Sequence, residues 1–202
     1  MATRAAARKR STKRKSSAPK RKASRVTAAA ALLRGAAKGA AAAVARHLPW
    51  ATDENDPVVL LEADHRRFEE LLEQGIATTE RGTKRRSALL ETLTASLKVH
   101  EAIEEQILYP ALKPYAESHD IVLEGYQEHH VADLLVRELR RLAKDDERWG
   151  AKFKVLEESL AHHIEEEERK MFPIARAVLT NEDLSALGMR MKALKADLEK
   201  RN

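Results

Sequence analysis

Histidine and glutamate residues recur in two stretches of the sequence that repeat each other with an offset of 63 residues. The first stretch contains Leu93, Leu97, His100, Glu104, Glu105, Tyr109 and Pro110. The second stretch contains Leu156, Leu160, His163, Glu167, Glu168, Phe172 and Pro173. In each stretch the leucines, the histidine and the first glutamate are spaced by four, three and four residues, which places them on one face of an α-helix. A leucine stripe that should face a core therefore continues into a histidine and a glutamate.

These buried polar residues predict a metal site. A buried histidine or carboxylate without a partner costs several kcal/mol, so such groups in a core are usually paired or bound to a metal. His100 with Glu104, and His163 with Glu167, have the i, i+4 spacing that lets one helix face bind one ion. Imidazole and carboxylate ligands without sulfur suit iron, manganese or zinc. Because two carboxylates related by an internal repeat can bridge two ions, the pattern favours a dinuclear centre.

Four long helices must position these residues, and a fifth follows them. We predict the five helices at about 57–79, 84–108, 118–144, 147–171 and 181–200. Asp56-Pro57 is a helix start signal, Asp145-Asp146 caps the fourth helix, and Thr180 with Asp183 predicts a capping box. The second helix is predicted to stop near Tyr109-Pro110 and Pro114, and the fourth is predicted to end near Phe172-Pro173.

The first and third helices also repeat each other, with an offset of 64 residues that relates Asp64-His65 to Glu128-His129. Short connections make neighbouring helices antiparallel, so the sequence predicts an all-α, up-down-up-down four-helix bundle. Each helix then has one inward-facing histidine: His65, His100, His129 (or His130) and His163. We predict the bundle over residues 56–176, preceded by an arm and linker at 1–55 and followed by a C-terminal helix at 177–202.

A ferritin-like di-iron bundle is the main structural alternative. It requires Glu-x-x-His on two helices. Near a candidate ligand this spacing occurs once, from Glu62 to His65, so the ferritin-like alternative is disfavoured.

The segments HEAIEEQILYP on helix 2 and HHIEEEERKMFP on helix 4 resemble the hemerythrin-like HHE cation-binding domain family, and the DH and EHH segments of helices 1 and 3 complete its ligand pattern. The resemblance covers about residues 56–175, and the final LGMRMKALKADL resembles the C-terminal helix of bacterial members. The family implies a non-haem site for two iron ions, with histidine terminal ligands and bridging carboxylates; manganese or zinc is less favoured. By motif position the resemblance assigns as ligands His65, His100, Glu104, His129, His163 and Glu167.

The sequence departs from the oxygen carriers of this family at two positions. Those carriers have a second histidine one turn after the helix 3 ligand, where this chain has Asp133, and an aspartate five residues after the helix 4 histidine, where this chain has Glu167 at four. Four histidines and two bridging carboxylates supply about eight of roughly twelve positions around two octahedral ions. Glu101 could supply another ligand. The open positions favour sensing, storage or iron and oxidant handling over simple oxygen carriage.

Three neighbours of the candidate ligands have less specific roles. Glu105 and Glu168 are predicted to hydrogen-bond a ligand imidazole or to face water. Tyr109 is predicted to pack at the end of the bundle.

Charge divides the chain into two parts. Residues 1–50 contain fourteen Lys and Arg and no acidic residue, which leaves 23 basic against all 32 acidic residues in 51–202, a formal charge of −9. Residues 1–26 are basic and poor in bulky apolar side chains, so we expect a disordered arm that binds nucleic acid phosphates without sequence preference. A transit peptide and a solubilising tail are the alternatives.

Composition excludes several classes of function. With no cysteine, the chain cannot form disulfides, iron–sulfur clusters or thiolate zinc sites. No apolar run approaches the roughly 18–20 residues that span a bilayer. We therefore expect a cytoplasmic protein, beside the nucleoid if the arm binds DNA.

Three functions are consistent with these features. The first is a hemerythrin-like di-iron protein that binds oxygen or a related small oxidant. The second is a di-iron enzyme that processes peroxide or nitric oxide. The third is a DNA-binding structural protein that acts through its basic arm. We favour a binding protein over an enzyme, and the sequence does not indicate the oligomeric state.

Overall fold

The structure is a computed structural model that describes residues 54–201. The predictions for the basic arm and for nearly all of the linker lie outside these residues. The described chain folds into five helices, of which the second and fourth contain a π-helical turn. Helix α1 is Pro57–Ile76, α3 is Ala116–Arg141 and α5 is Asn181–Glu199. Helix α2 consists of Thr83–Ile103, the π-helical turn Glu104–Leu108 and Tyr109–Leu112; α4 consists of Glu147–Glu166, the π-helical turn Glu167–Met171 and Phe172–Val178.

The helix start signals predicted from the sequence are confirmed. The Asp56 side chain accepts a hydrogen bond of 2.9 Å from the Val58 backbone N–H. The Asp146 side chain caps α4 in the same way, by accepting from the Arg148 backbone N–H. Thr180 and Asp183 form the predicted capping box of α5. These bonds satisfy backbone donors that the first turn of a helix leaves without a partner.

Helix α2 ends just before Pro114, as predicted, but both α2 and α4 continue through the proline of the repeat, Pro110 or Pro173, where a helix end was also predicted. Proline in a helix lacks an N–H donor, and its ring would clash with the carbonyl four residues earlier. Here a π-helical turn precedes each proline, so that the backbone N–H of Tyr109 donates to Glu104 and that of Phe172 donates to Glu167, five residues back. The wider turn accommodates Pro110, and the helix continues to Leu112.

The first four helices form the predicted bundle, and its core consists of two apolar clusters. One cluster, toward the α1–α2 and α3–α4 connections, includes Phe68, Leu93, Phe153 and Leu156. The other, toward the opposite end, includes Leu61, Ile103, Tyr109, Met171 and Phe172. The repeated histidines and glutamates form a polar layer between these two clusters.

Helix α5 packs on α1 and α2, and this contact depends on a glycine. A Cβ atom added at Gly188 would lie 1.6 Å from the backbone oxygen of Asn55, just before α1. Further along α5, Lys195 forms an ion pair with Asp64 of α1. Helix α5 therefore covers the first half of the bundle, which we define as α1 and α2.

We expect Gly188→Ala to destabilise the protein by about 1–3 kcal/mol, because the methyl group overpacks the α5–α1 contact. Gly150→Ala is the matched control. A Cβ there meets only Arg86 Nη2 at 3.7 Å, an ordinary contact, and alanine should stabilise the helix by about 0.5–1 kcal/mol. Urea unfolding of both variants measures the two changes. If the urea midpoint of Gly188→Ala were not lower than that of Gly150→Ala, the close approach of Gly188 to Asn55 would be contradicted.

Among residues 54–201, no helix is both long enough and apolar enough to span a membrane.

Candidate metal centre

Six of the seven residues predicted as metal ligands converge in the polar layer, where all six are buried. We call this group the candidate metal centre; its members are His65, His100, Glu104, His129, His163 and Glu167. His129 is buried, whereas its neighbour His130 is exposed, so the geometry favours His129 of the two alternatives.

Each of the two glutamates contacts histidines from both halves of the bundle, the second half being α3 and α4. Glu104 Oε2 lies 3.3 Å from His100 Nε2 on its own helix and 3.3 Å from His129 Nε2 on α3. Glu167 Oε2 lies 3.6 Å from His163 Nε2 on its own helix and 3.2 Å from His65 Nε2 on α1. Each carboxylate therefore lies between a histidine of the first half and a histidine of the second half.

The centre contains two groups of atoms that could each hold one cation. The first group consists of His65, His100, Glu104 and Glu167, and the second of Glu104, His129 and His163. Within each group the ligand atoms lie within 4.8 Å of one another, and Glu104 belongs to both.

Unsatisfied polar atoms indicate that this layer fits metal ions. The Nε2 atoms of His65 and His100, both carboxylate oxygens of Glu104 and Oε2 of Glu167 are buried without a well-formed hydrogen bond. Buried polar atoms in proteins rarely lack a hydrogen-bond partner. Two ligands bound to one ion at about 2.1 Å lie roughly 3.0–3.4 Å apart, close to the His–Glu distances of 3.2–3.6 Å here.

A second carboxylate orients each histidine ring by accepting a hydrogen bond from Nδ1. The four pairs are His65 with Glu168 at 3.0 Å, His100 with Asp64 at 3.4 Å, His129 with Glu105 at 3.0 Å and His163 with Glu128 at 2.8 Å. Because a carboxylate only accepts, each Nδ1 carries a hydrogen, and Nε2 is the ring nitrogen that faces the centre.

Of these carboxylates, Glu105 and Glu168 confirm the predicted hydrogen bond to an imidazole. Asp64 and Glu128 were not assigned this role from the sequence, although each directly precedes a histidine in the 64-residue repeat. Their equivalent positions in the repeat were the sequence signal for a shared role. Since each contacts a histidine on the next helix, only the packing of neighbouring helices reveals the contact.

The π-helical turns begin at the two buried glutamates of the centre, Glu104 and Glu167. A π-helical turn inserts one residue into a helix and often occurs at a functional site. Here it changes the direction of the side chains that follow, so that Glu105 can reach His129. In the sequence, each of these turns is signalled by the proline that follows it, Pro110 or Pro173. A proline is more often the sign of a helix end.

Tyr109 packs in the core as predicted, but it also reaches the centre. Its hydroxyl donates to Glu167 Oε1 at 3.0 Å and lies 3.4 Å from His129 Nε2. The ring needs Gly125 on α3, because a Cβ there would lie 2.6 Å from the hydroxyl oxygen. Burial and the nearby carboxylates of Glu104 and Glu167 raise the pKa of Tyr109, so the hydroxyl keeps its proton.

Burial and neighbouring charges shift the pKa values of two histidines and two glutamates of the centre. Burial disfavours a charged His65, but the carboxylates of Glu167 and Glu168 outweigh burial and raise its pKa to about 9. Burial lowers the pKa of His100 to about 4. Burial and the charge of Glu167 raise the pKa of Glu104. For Glu167 the opposing effect of burial is outweighed by His163 and His65, which lower its pKa. Cations that bind here must displace protons.

Glu101, the seventh predicted ligand, lies outside both groups of ligand atoms. It lines a solvent-open cavity of about 600 Å³ between α2 and α3, together with His129, His130 and Asp133. Burial raises the pKa of Glu101 to about 7. The cavity connects solvent with the His129 side of the centre.

We expect Glu105→Ala to weaken metal binding by about 10- to 100-fold, because His129 loses the carboxylate that orients its ring. The measurement is competition with a chelator of known affinity. Glu91→Ala, at an exposed position of the same helix, removes the same charge and should leave the affinity unchanged. An equal loss in both variants would indicate a long-range charge effect instead.

Comparisons with known proteins agree with this geometry. The profile of the hemerythrin HHE cation-binding domain matches residues 56–175. The structure is similar to the crystal structure of a hemerythrin HHE cation-binding domain-containing protein from Mycobacterium kansasii. The TM-score is 0.62 at 24% sequence identity, and the similarity covers 70% of this chain and 85% of the other. A search of curated proteins gave no match.

Proposed function

The chain belongs to the hemerythrin HHE cation-binding domain family, and on this premise we propose that its bundle holds two iron ions and binds oxygen or a related small oxidant. One observation carries the proposal: Glu104 and Glu167 each contact a histidine from both halves of the bundle. A carboxylate in that position can bridge two ions. Such an iron pair would supply electrons to a small oxidant.

The donor set supports a transition metal such as iron over calcium or magnesium. Four imidazoles and two carboxylates, without sulfur, suit iron, manganese or zinc, whereas calcium and magnesium prefer all-oxygen sites. In this proposal His65 and His100 hold one ion, His129 and His163 hold the other, and the carboxylates of Glu104 and Glu167 are shared between them.

The surroundings of the centre support the binding of a small molecule. Apolar clusters above and below the polar layer exclude water from most of the centre. The cavity between α2 and α3 gives access from solvent to the side of His129. On the first half, Lys195 of α5 pairs with Asp64 and thereby supports His100. A small oxidant would therefore enter between α2 and α3, beside His129.

Metal analysis of the purified protein, with absorption spectra before and after exposure to air, tests the proposal. We expect about two irons per chain and a near-ultraviolet band that appears only in air. A single zinc, or no metal after growth in iron-rich medium, would contradict the proposal.

Turnover of peroxide or nitric oxide is the second candidate, and Tyr109 favours it. Its hydroxyl holds a proton 3.0 Å from Glu167 inside the centre, where a reaction that consumes protons could use it. Steady-state oxygen evolution from peroxide separates the two functions, because a binding protein should be oxidised only stoichiometrically. If the protein turns over, Tyr109→Phe should slow the reaction without releasing metal.

The basic arm remains a hypothesis from sequence, since residues 1–26 lie outside the described part of the chain. Fourteen Lys and Arg without an acidic residue in 1–50 support non-specific binding to nucleic acid, and with it a cytoplasmic location near DNA. Deleting residues 1–50 should abolish salt-sensitive DNA binding, whereas chelation should not affect it. DNA binding that survives the deletion would exclude the arm as the contact.

A further inference from the structure

A second group of metal-ligating side chains lies on the surface of the second half, outside the candidate metal centre. It consists of Glu128 on α3 with His162 and Glu166 on α4. His162 Nε2 lies 3.8 Å from Glu128 Oε1 and 3.9 Å from Glu166 Oε2. All three ligand atoms lie within 4.8 Å of one another.

The geometry of this group is close to that of a bound cation. His162 and Glu166 have the i, i+4 spacing of His163 and Glu167, shifted by one residue. Two ligands of a tetrahedral zinc ion lie roughly 3.4 Å apart. His162 must therefore approach each carboxylate by about half an ångström, which is a small movement for an exposed side chain. The two carboxylate oxygens lie within 4.8 Å of each other. Solvent can supply the remaining ligand.

The group is not a by-product of the internal repeat. In the first half the corresponding positions are Asp64, Val99 and Ile103, so two of the three ligands are replaced by buried apolar side chains. There Asp64 pairs with Lys195 of α5. The second half has a histidine and a glutamate where the first half has only core residues, and the bundle itself does not require them.

Glu128 joins this surface group to the buried centre. Its Oε2 accepts the 2.8 Å hydrogen bond from His163 Nδ1, while its Oε1 faces His162. We propose that Glu128, His162 and Glu166 form a surface site for a divalent transition-metal ion, separate from the buried centre and adjacent to it. The site captures cations on the side of the bundle opposite α5, and it goes beyond the function proposed above.

Lys170 competes with a cation at this site. It forms an ion pair with Glu166 one turn earlier on α4, and a bound cation must displace it. Removing the ammonium group should therefore strengthen cation binding, whereas removing the imidazole of His162 should weaken it. General attraction of cations to an acidic surface would not depend on the imidazole.

Calorimetric titration of the full chain with Zn²⁺, after the centre has been loaded with iron, tests the site. We expect one further Zn²⁺ per chain for the wild type. His162→Ala should weaken this binding at least about tenfold, and Lys170→Ala should strengthen it. His119→Ala, which removes an exposed histidine elsewhere, is the matched control and should bind like the wild type.

Two outcomes would overturn the site. The first is that the wild type binds no Zn²⁺ beyond the loaded centre. The second is that His162→Ala, like His119→Ala, binds Zn²⁺ with the affinity of the wild type. Either result can be interpreted whichever metal the buried centre holds. The proposed site is defined only by the additional Zn²⁺ ion whose binding depends on His162. Thermal unfolding of His162→Ala should match the wild type, since the side chain is exposed.

Discussion

Replacing Glu104 by glutamine is expected to remove most of the metal from both ion positions, since Glu104 is the residue that the two groups share. The amide is neutral, and its single oxygen cannot bridge two cations as a carboxylate does. We expect bound metal to fall from about two ions per chain to less than about 0.5 after dialysis. Metal analysis of the dialysed protein measures the loss.

Two further variants make this prediction specific. Glu165→Gln removes the same charge from an exposed position on α4, where Glu165 pairs with Arg169, and should retain all of the metal. His163→Ala removes a ligand of the second group alone, so about one ion per chain should remain. Full occupancy in Glu104→Gln would show that Glu104 does not bridge the two positions.

Removing the metal is expected to lower the free energy of unfolding by at least about 4 kcal/mol, when free metal is roughly a thousandfold above the dissociation constant. The reason is that the metal ions would neutralise the buried carboxylates of the polar layer. Without cations, Glu104 and Glu167 leave buried oxygens without a well-formed hydrogen bond in the middle of the core. For a chain of this size the melting temperature should fall by roughly 8–16 °C. Calorimetric scans with and without a chelator give the difference.

The control for this experiment is Glu104→Gln, which should bind little metal and should therefore unfold at one temperature whether or not chelator is present. A wild-type melting temperature that does not respond to chelator would contradict a structural contribution of the metal. Gly150→Ala, which is expected to stabilise the helix through propensity alone, should respond to chelator like the wild type.

The sequence predicted the fold and the six converging residues because both depend on spacing within one helix. The intervals of four, three and four residues placed His100 and Glu104 on one face. The offset of 63 residues then predicted that His163 and Glu167 take the equivalent position in the other half. A repeat of this kind constrains burial and helix order together, so the four-helix bundle followed from it.

Other features of the centre depend on contacts between helices. The hydrogen bond from Tyr109 to Glu167 joins α2 to α4, and the bond between Glu128 and His163 joins α3 to α4. Spacing along one helix cannot predict such contacts, because they depend on the rotation and depth at which two helices pack. The continuation of α2 beyond Pro110 was missed for a related reason: the π-helical turn that accommodates proline is rare, and a helix end is the usual consequence.

The sequence by itself therefore determined an all-α bundle, a set of buried imidazole and carboxylate groups, and the family to which the chain belongs. Tertiary structure alone decided that Glu104 and Glu167 each contact both halves of the bundle, that His129 rather than His130 faces the centre, and that α5 packs on the first half. The physical reason is that helical periodicity specifies which face of a helix is buried, whereas the packing of one helix against another specifies which atoms meet there.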